Sequence, residues 1–132
     1  MKQEKQNSKK NILIVEDEVF LAETIGARLE FLGYTVSYAE NGQVALDKCS
    51  SENLKKVPVD LILMDALMPI MDGFEATRLI KANQAKIPIV FVTAMARPED
   101  KEKACNVGAD DYLAKPFEVS ELITLIKKWL ER

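Results

Sequence analysis

The strongest constraint on the fold is a fivefold alternation between short apolar runs and longer segments of helical period. The apolar runs are strand-sized, rich in Ile, Leu and Val, and cover residues 11–16, 34–39, 59–65, 87–93 and 110–114. Each is followed by a segment whose apolar residues recur every three or four positions, as on one face of a helix. Strands that alternate with helices form a parallel sheet covered by helices on both faces. The sequence therefore predicts one α/β domain.

The ends of the predicted helices carry residues that start or stop a helix. Asp72 suits the N-cap of a helix that runs through about residue 82. Pro98 suits the first turn of the next helix, and Gly108 its end. The remaining helices are predicted over residues 18–32, from residue 41 onward, and over residues 119–130.

Size and composition limit the classes of function. A chain of 132 residues fits one domain, and its net charge of -3 gives no case for direct nucleic-acid binding. No apolar stretch approaches the roughly 20 residues of a membrane span, and no signal peptide follows Met1. The sequence has no histidine, which excludes histidine-based general base catalysis and the usual zinc sites.

Two further features predict the setting of the domain. Its two cysteines are far apart and match no metal-ligand spacing, which favours a reduced, cytoplasmic protein. Residues 1–10 are polar and lysine-rich, and we expect them to form a flexible leader before a domain that spans residues 11–132.

Polar side chains follow four of the five predicted strands. Glu16 and Asp17 follow the first strand, Asp65 ends the third, Thr93 ends the fourth and Lys115 follows the fifth. Ligands of an open parallel sheet bind at the edge where the carboxyl ends of the strands meet. Each residue alone would suit an ordinary turn or strand end. Together they predict a site with three carboxylates, one hydroxyl and one ammonium group.

The charges of this site predict a divalent metal ion. Two like charges about 4 Å apart repel by roughly 4 kcal/mol at an effective dielectric constant near 20. Lys115 offsets one carboxylate, and oxygen ligands without His or Cys favour Mg²⁺ or Mn²⁺ for the others. Such an ion also neutralises a phosphoryl group during transfer, and an aspartate can be the covalent acceptor.

Four segments resemble the receiver domain of two-component response regulators. They are Ile12–Asp17 (ILIVED), residues 65–73 (DALMPIMDG), residues 92–94 (VTA) and residues 108–117 (GADDYLAKPF). The resemblance covers residues 11 to about 130 in one register. It implies a flavodoxin-like (βα)5 doubly wound sandwich with a five-stranded parallel sheet of order 2-1-3-4-5.

The resemblance assigns roles at the predicted site. Asp65 accepts a phosphoryl group from a sensor histidine kinase or a histidine phosphotransfer protein. The Mg²⁺ ligands are Asp17, Asp65 and the carbonyl of Leu67, with Glu16 acting through water. Lys115 pairs with the phosphoryl oxygens, and the Lys115–Pro116 peptide bond is expected to be cis.

The resemblance also implies a signalling switch and not an enzyme. Thr93 moves to hydrogen-bond the phosphoryl group, and Tyr112 rotates inward behind it. The face built from the fourth helix, fifth strand and fifth helix then changes its affinity for a downstream protein target. A phosphorylation-dependent homodimer through this face is a further possibility, and no membrane contact is expected.

Two departures from the common pattern affect the chemistry. The acidic pair is Glu16–Asp17 where many members have two aspartates, which weakens the case for Glu16 as a close ligand. Leu67 and Met95, two positions after Asp65 and Thr93, are apolar and flank the route of water to an acyl phosphate. This apolar rim predicts slow self-dephosphorylation.

Two other classes of function stay open at this stage. A receiver-like module can act by binding alone, although such a module should have lost some of the acid, threonine and lysine set. A small enzyme is the other class. Against it, no phosphate-binding loop of the flavin or GxxxxGK[ST] type is present, and residues 65–67 lack the second aspartate of dehalogenase-type phosphatases.

Overall fold

The five predicted strands form one parallel sheet in a computed structural model that describes residues 9–131. The strands are β1 (Asn11–Val15), β2 (Thr35–Ala39), β3 (Leu61–Met64), β4 (Ile89–Thr93) and β5 (Asp111–Ala114). Their order across the sheet is β2-β1-β3-β4-β5. The predicted fold and strand order are confirmed.

Within residues 9–131, six helices connect and cover the strands, one more than the sequence predicts. They are α1 (Val19–Phe31), α2 (Gly42–Lys48), α3 (Ser51–Lys56), α4 (Gly73–Asn83), α5 (Pro98–Val107) and α6 (Val119–Leu130). The additional helix arises because the segment after β2 breaks at Ser50, whose extended backbone and side-chain oxygen cap a new helix through the Asn53 N–H group. No residue of α3 is buried, so apolar periodicity could not reveal it.

The sheet is buried on both faces. Alternate residues of β1, β3 and β4 point to opposite faces and pack into two separate clusters. One cluster contains Leu13, Met64 and Phe91 with side chains of α2, α4 and α5. The other contains Ile14 and Leu63 with α1 and α6 on the opposite face. Because every residue of β3 and β4 is buried, packing on both faces holds the carboxyl ends of these strands in place.

Three aspartates outside the predicted site have structural roles. Asp72 caps α4 by accepting a hydrogen bond from the Glu75 N–H group at 2.8 Å. Asp110 accepts from Lys81 Nζ at 2.7 Å and from the backbone of β4. Asp111 accepts from the indole of Trp129 at 2.9 Å, which ties α6 to β5.

The two cysteines occupy different environments, and their reactivities should differ. Burial raises the pKa of the Cys49 thiol to about 11, so this group stays protonated at neutral pH. Cys105 is exposed on α5. Because the thiolate is the reactive form, we expect a disulfide reagent at about pH 8 to label one thiol per native chain rapidly.

The control for this prediction is Cys105→Ser, which should remove the fast-reacting thiol. In urea, where the protein is unfolded, the thiol of Cys49 should react with the reagent. Rapid labelling of native Cys105→Ser would contradict the burial of Cys49.

Two predictions concern the ends and the setting of the chain. Residues 1–8 of the predicted leader lie outside the described residues, whereas the carbonyl of Lys10 already accepts a hydrogen bond from the N–H group of Thr35 at 2.9 Å. Across residues 9–131, no helix has the length and apolar character needed to cross a membrane.

Candidate functional site

The three predicted carboxylates converge because of the pairing between β1 and β3. Val15 and Met64 are paired across these parallel strands, so the residues that follow them leave the sheet side by side. One carboxylate oxygen from each of Glu16, Asp17 and Asp65 lies within 4.8 Å of the other two. The cluster forms at the carboxyl edge of the sheet, as predicted.

Lys115 reaches the same cluster from β5. Its backbone N–H group donates to the backbone carbonyl of Thr93 at 2.8 Å, and this hydrogen bond fixes the start of the loop that follows β5. Its Nζ lies 2.8 Å from Glu16 Oε1 and 3.4 Å from Asp65 Oδ2. The Lys115–Pro116 peptide bond is cis, as the resemblance implies.

The electrostatics of the cluster leave it short of positive charge. Burial raises the pKa of Glu16, the hydrogen bond from Lys115 opposes this, and the charge of Asp65 adds to the rise. For Lys115, burial acts to lower the pKa, but the hydrogen bond to Glu16 and the charges of both acids outweigh it, and the pKa is raised. Three carboxylates share one ammonium group, so two negative charges stay uncompensated when all three are ionised.

The donor set fits a hard divalent cation. The clustered ligand atoms are carboxylate oxygens, which are ligands that Mg²⁺ prefers, and all three lie within 4.8 Å of one another. Asp17 is exposed and Asp65 half-buried, so a solvated ion has access to both. Leu67 lies two residues beyond Asp65 in the loop before α4, and its side chain is exposed.

The two predicted switch residues lie on β4 and β5. Thr93 ends β4 and is buried, and its Oγ1 accepts a hydrogen bond from the Met95 N–H group at 3.3 Å. The ring of Tyr112 stacks on Phe91 at 6.1 Å between centroids. Its hydroxyl is buried and has no hydrogen-bond partner among the described residues. The ring therefore already packs toward the core in this structure.

One residue near the site carried a signal that the sequence analysis did not use. A Cβ atom on Gly73 would lie 2.1 Å from the carbonyl oxygen of Asp65. The N–H group of Gly73 also donates to the carbonyl of Ala66 at 2.8 Å. Gly73 belongs to the motif of residues 65–73, and only glycine lets α4 start against the backbone of Asp65.

The sequence also matches the model of a protein family, and this match agrees with the geometry of the site. Residues 12–127 match the model of the response regulator receiver domain. The chain belongs to this family. A response regulator of Staphylococcus epidermidis, ArlR, is 40% identical over 122 residues, which cover 92% of this chain and 53% of that protein. The receiver domain thus spans about half the length of the curated relatives it matches.

Solved structures of receiver domains share the fold. A CheY-like response regulator receiver domain protein from Methanospirillum hungatei has a TM-score of 0.85 at 31% identity, with 94% of this chain and 95% of that chain covered. The receiver domain of a sensor histidine kinase from Pseudomonas aeruginosa has a TM-score of 0.82 at 35% identity, with 95% and 100% covered. That structure has a magnesium ion coordinated in its active site cleft.

Proposed function

We propose that this receiver domain accepts a phosphoryl group on Asp65, in a Mg²⁺-dependent reaction, from a sensor histidine kinase or a histidine phosphotransfer protein. The observation that carries the proposal is the convergence of Glu16, Asp17 and Asp65 with Lys115 in one cluster at the carboxyl edge of the sheet. The magnesium ion in the related kinase receiver domain supports the metal. Mn²⁺ has the same preference for oxygen ligands and is a substitute.

The chain's own residues account for the transfer. A carboxylate oxygen of Asp65 forms a bond to phosphorus while the bond from phosphorus to the donor's histidine nitrogen breaks. The nitrogen leaves with the bonding electrons, and the released imidazole is neutral because the other ring nitrogen of the phosphohistidine carries a proton. Asp17, Asp65 and the Leu67 carbonyl would hold Mg²⁺, with Glu16 acting through water, and the ion would supply charge neutralisation at the phosphoryl group.

Lys115 has a second part in this proposal. Its ammonium group bridges Glu16 and Asp65 before the reaction, and it turns to the phosphoryl oxygens afterwards. The positive charge of Lys115 therefore stays at the site before and after phosphorylation, and the other side chains of the site can keep their positions.

The output of the switch is a change of the face formed by β5, α5 and α6. Helices α5 and α6 are the fourth and fifth helices predicted from the sequence. Phosphorylation adds about -1.5 to -2 charges and three strong acceptors, which attract the hydroxyl of Thr93. Reversal of a 1:99 population needs about 5.5 kcal/mol, and a few hydrogen bonds to a charged group at about 1.5–3 kcal/mol each supply it. Tyr112, which lies on this face, transmits the change to a downstream protein partner or to a second copy of the chain.

The remaining predictions about partners form part of this proposal. The domain acts as a cytoplasmic switch and not as an enzyme, and it contacts neither membrane nor nucleic acid directly. Some relatives are named transcriptional regulators, and they are about twice as long as this chain. Nucleic-acid binding by such proteins is therefore a separate question from the activity of this domain.

The test is the intact mass of the protein after incubation with acetyl phosphate and Mg²⁺. We expect one added phosphoryl group, and none when EDTA removes the metal. A folded protein that takes no phosphoryl group would favour the module that acts by binding alone.

The rim of the pocket predicts the lifetime of the acyl phosphate. Leu67 is exposed and Met95 half-buried, and both present apolar surface beside the site. Neither side chain has a strong hydrogen-bonding group that positions an attacking water, so we expect slow loss of the phosphoryl group after the donor is removed. Leu67→Asn should accelerate the loss, and Val57→Asn, at an exposed apolar residue in the segment before β3, is its matched control. Decay as fast as in chemotaxis-type receivers would contradict this prediction.

A further inference from the structure

We propose that Gly42 is a positioning residue for the metal site, acting through the loop that connects Asp65 to α4. The loop spans residues 66–72 and follows the acceptor directly. Gly42, the first residue of α2, packs against this loop, although it is distant from Asp65 in the sequence. The inference rests on the proposed function, because it assigns Gly42 a part in that same site.

The contact between Gly42 and the loop is made by backbone atoms. The N–H group of Gly42 donates to the carbonyl oxygen of Met71 at 2.9 Å. A Cβ atom at position 42 would lie 2.6 Å from that same oxygen, 2.9 Å from the Cβ atom of Ala76 in α4 and 3.0 Å from the carbonyl oxygen of Asp72. None of these atoms can swing aside as the end of a flexible side chain does, so any side chain at position 42 must push α2 and the loop apart.

The loop needs such a contact because its own conformation is strained. Ile70 has φ of 72°, a left-handed conformation that is costly for a β-branched residue. The N–H group of Met71 donates to the carbonyl of Pro69 at 2.7 Å, which closes a tight γ-turn around Ile70. Strain of this kind persists only where the surroundings enforce it. The hydrogen bond from Gly42 holds Met71, the residue that follows Ile70, and so helps to enforce the left-handed conformation of Ile70.

The other end of the loop joins the acceptor itself. Gly73 lies against the backbone of Asp65, and its N–H group binds the carbonyl of Ala66. The loop is thus held at Ala66 by Gly73 and at Met71 by Gly42, with Leu67 between the two points. A shift at Met71 is transmitted to the Leu67 carbonyl, the proposed ligand, and to Asp65.

Gly42 is itself well anchored. Asn41 is buried, and its side-chain oxygen accepts from the Val44 N–H group at 2.9 Å, which caps α2. Ala45, one turn further, is fully buried in the core cluster on that face of the sheet. The start of α2 is therefore a fixed point against which the loop is held.

The experiment measures Mg²⁺ affinity by isothermal titration calorimetry for the wild type, Gly42→Ala and Gly33→Ala. Changes in the support of metal ligands typically cost about 10–100-fold in affinity, and we expect about tenfold weaker binding for Gly42→Ala. Gly33 has φ of 101° and nothing within 4 Å of an added Cβ. Gly33→Ala therefore strains the backbone away from the loop, and it should lower the melting temperature without changing Mg²⁺ affinity.

The outcomes separate the inference from the proposed function. Wild-type affinity in a folded Gly42→Ala protein, or equal weakening in Gly33→Ala, would overturn the inference. If Gly42→Ala does not fold, Asn41→Ala decides, because it loosens the start of α2 without adding an atom at position 42: weaker binding supports the inference and unchanged binding overturns it. A wild type that binds Mg²⁺ but takes no phosphoryl group would refute the proposed function alone, and one that binds no Mg²⁺ would refute both.

Discussion

Asp65→Asn is expected to abolish the phosphoryl adduct formed with acetyl phosphate and Mg²⁺. The amide has nearly the same shape as the carboxylate, so packing around β3 should survive the change. It loses both the nucleophilic oxygen and one of the charges that hold the metal. It also relieves repulsion among three clustered acids, so the metal-free variant should be at least as stable as the wild type. Intact mass and thermal melting together measure these effects.

The matched control for this change is Asp47→Asn. Asp47 is exposed on α2 and accepts a hydrogen bond from the Gln43 side chain at 3.1 Å, remote from the pocket. This variant should take one phosphoryl group at the wild-type rate. An adduct that persisted in Asp65→Asn would move the acceptor to another residue, for which Asp17 and Glu16 are the carboxylate candidates in the cluster.

Lys115→Met is expected to reduce the free energy of unfolding of the metal-free protein by about 3 kcal/mol, the lower end of the cost of removing one partner from a buried ion pair. Glu16 is buried, and Lys115 is its direct partner at 2.8 Å. Without the ammonium group, three carboxylates face one another with no compensating charge. Because Mg²⁺ supplies positive charge at the same place, saturating Mg²⁺ should narrow the difference from the wild type.

Urea unfolding with EDTA and with excess Mg²⁺ measures this effect, and Lys128→Met is the control. Lys128 pairs with Asp111 at 3.2 Å, but its side chain is 61% exposed. An exposed pair of this kind contributes about 0–1 kcal/mol, independent of Mg²⁺. Equal losses in both variants, or no response of Lys115→Met to Mg²⁺, would show that Lys115 does not compensate the acidic cluster.

The two proposals bear on different parts of one site. The first proposal concerns the groups that take part in phosphoryl transfer, which are Asp65, the other two acids and Lys115. The second concerns the loop of residues 66–72, which we expect to set the distances between the metal ligands. Its strained turn at Ile70 lies between two contacts that only glycine permits, at Gly42 and Gly73. We therefore expect this receiver domain to lose metal affinity when Gly42, which lies outside the acidic cluster, is replaced.

The residues of the site could be predicted from the sequence because topology determines where they meet. In a parallel sheet every strand ends at the same edge, so the residues after β1, β3, β4 and β5 converge once the strands are recognised. The strand order itself came from the resemblance, because alternation of strands and helices is the same for several orders.

The fold class, the strands and the identity of the clustered acids could be predicted because they depend on local periodicity and on the residues at strand ends. Other features depend on distances between segments that are remote in the chain, and these appear only once the chain is folded. These are the 2.8 Å contact of Lys115 with Glu16, the break between α2 and α3, and the approach of Gly42 to Met71. A glycine in a sequence shows that a side chain is missing, but what would occupy that space depends on which backbone packs against it.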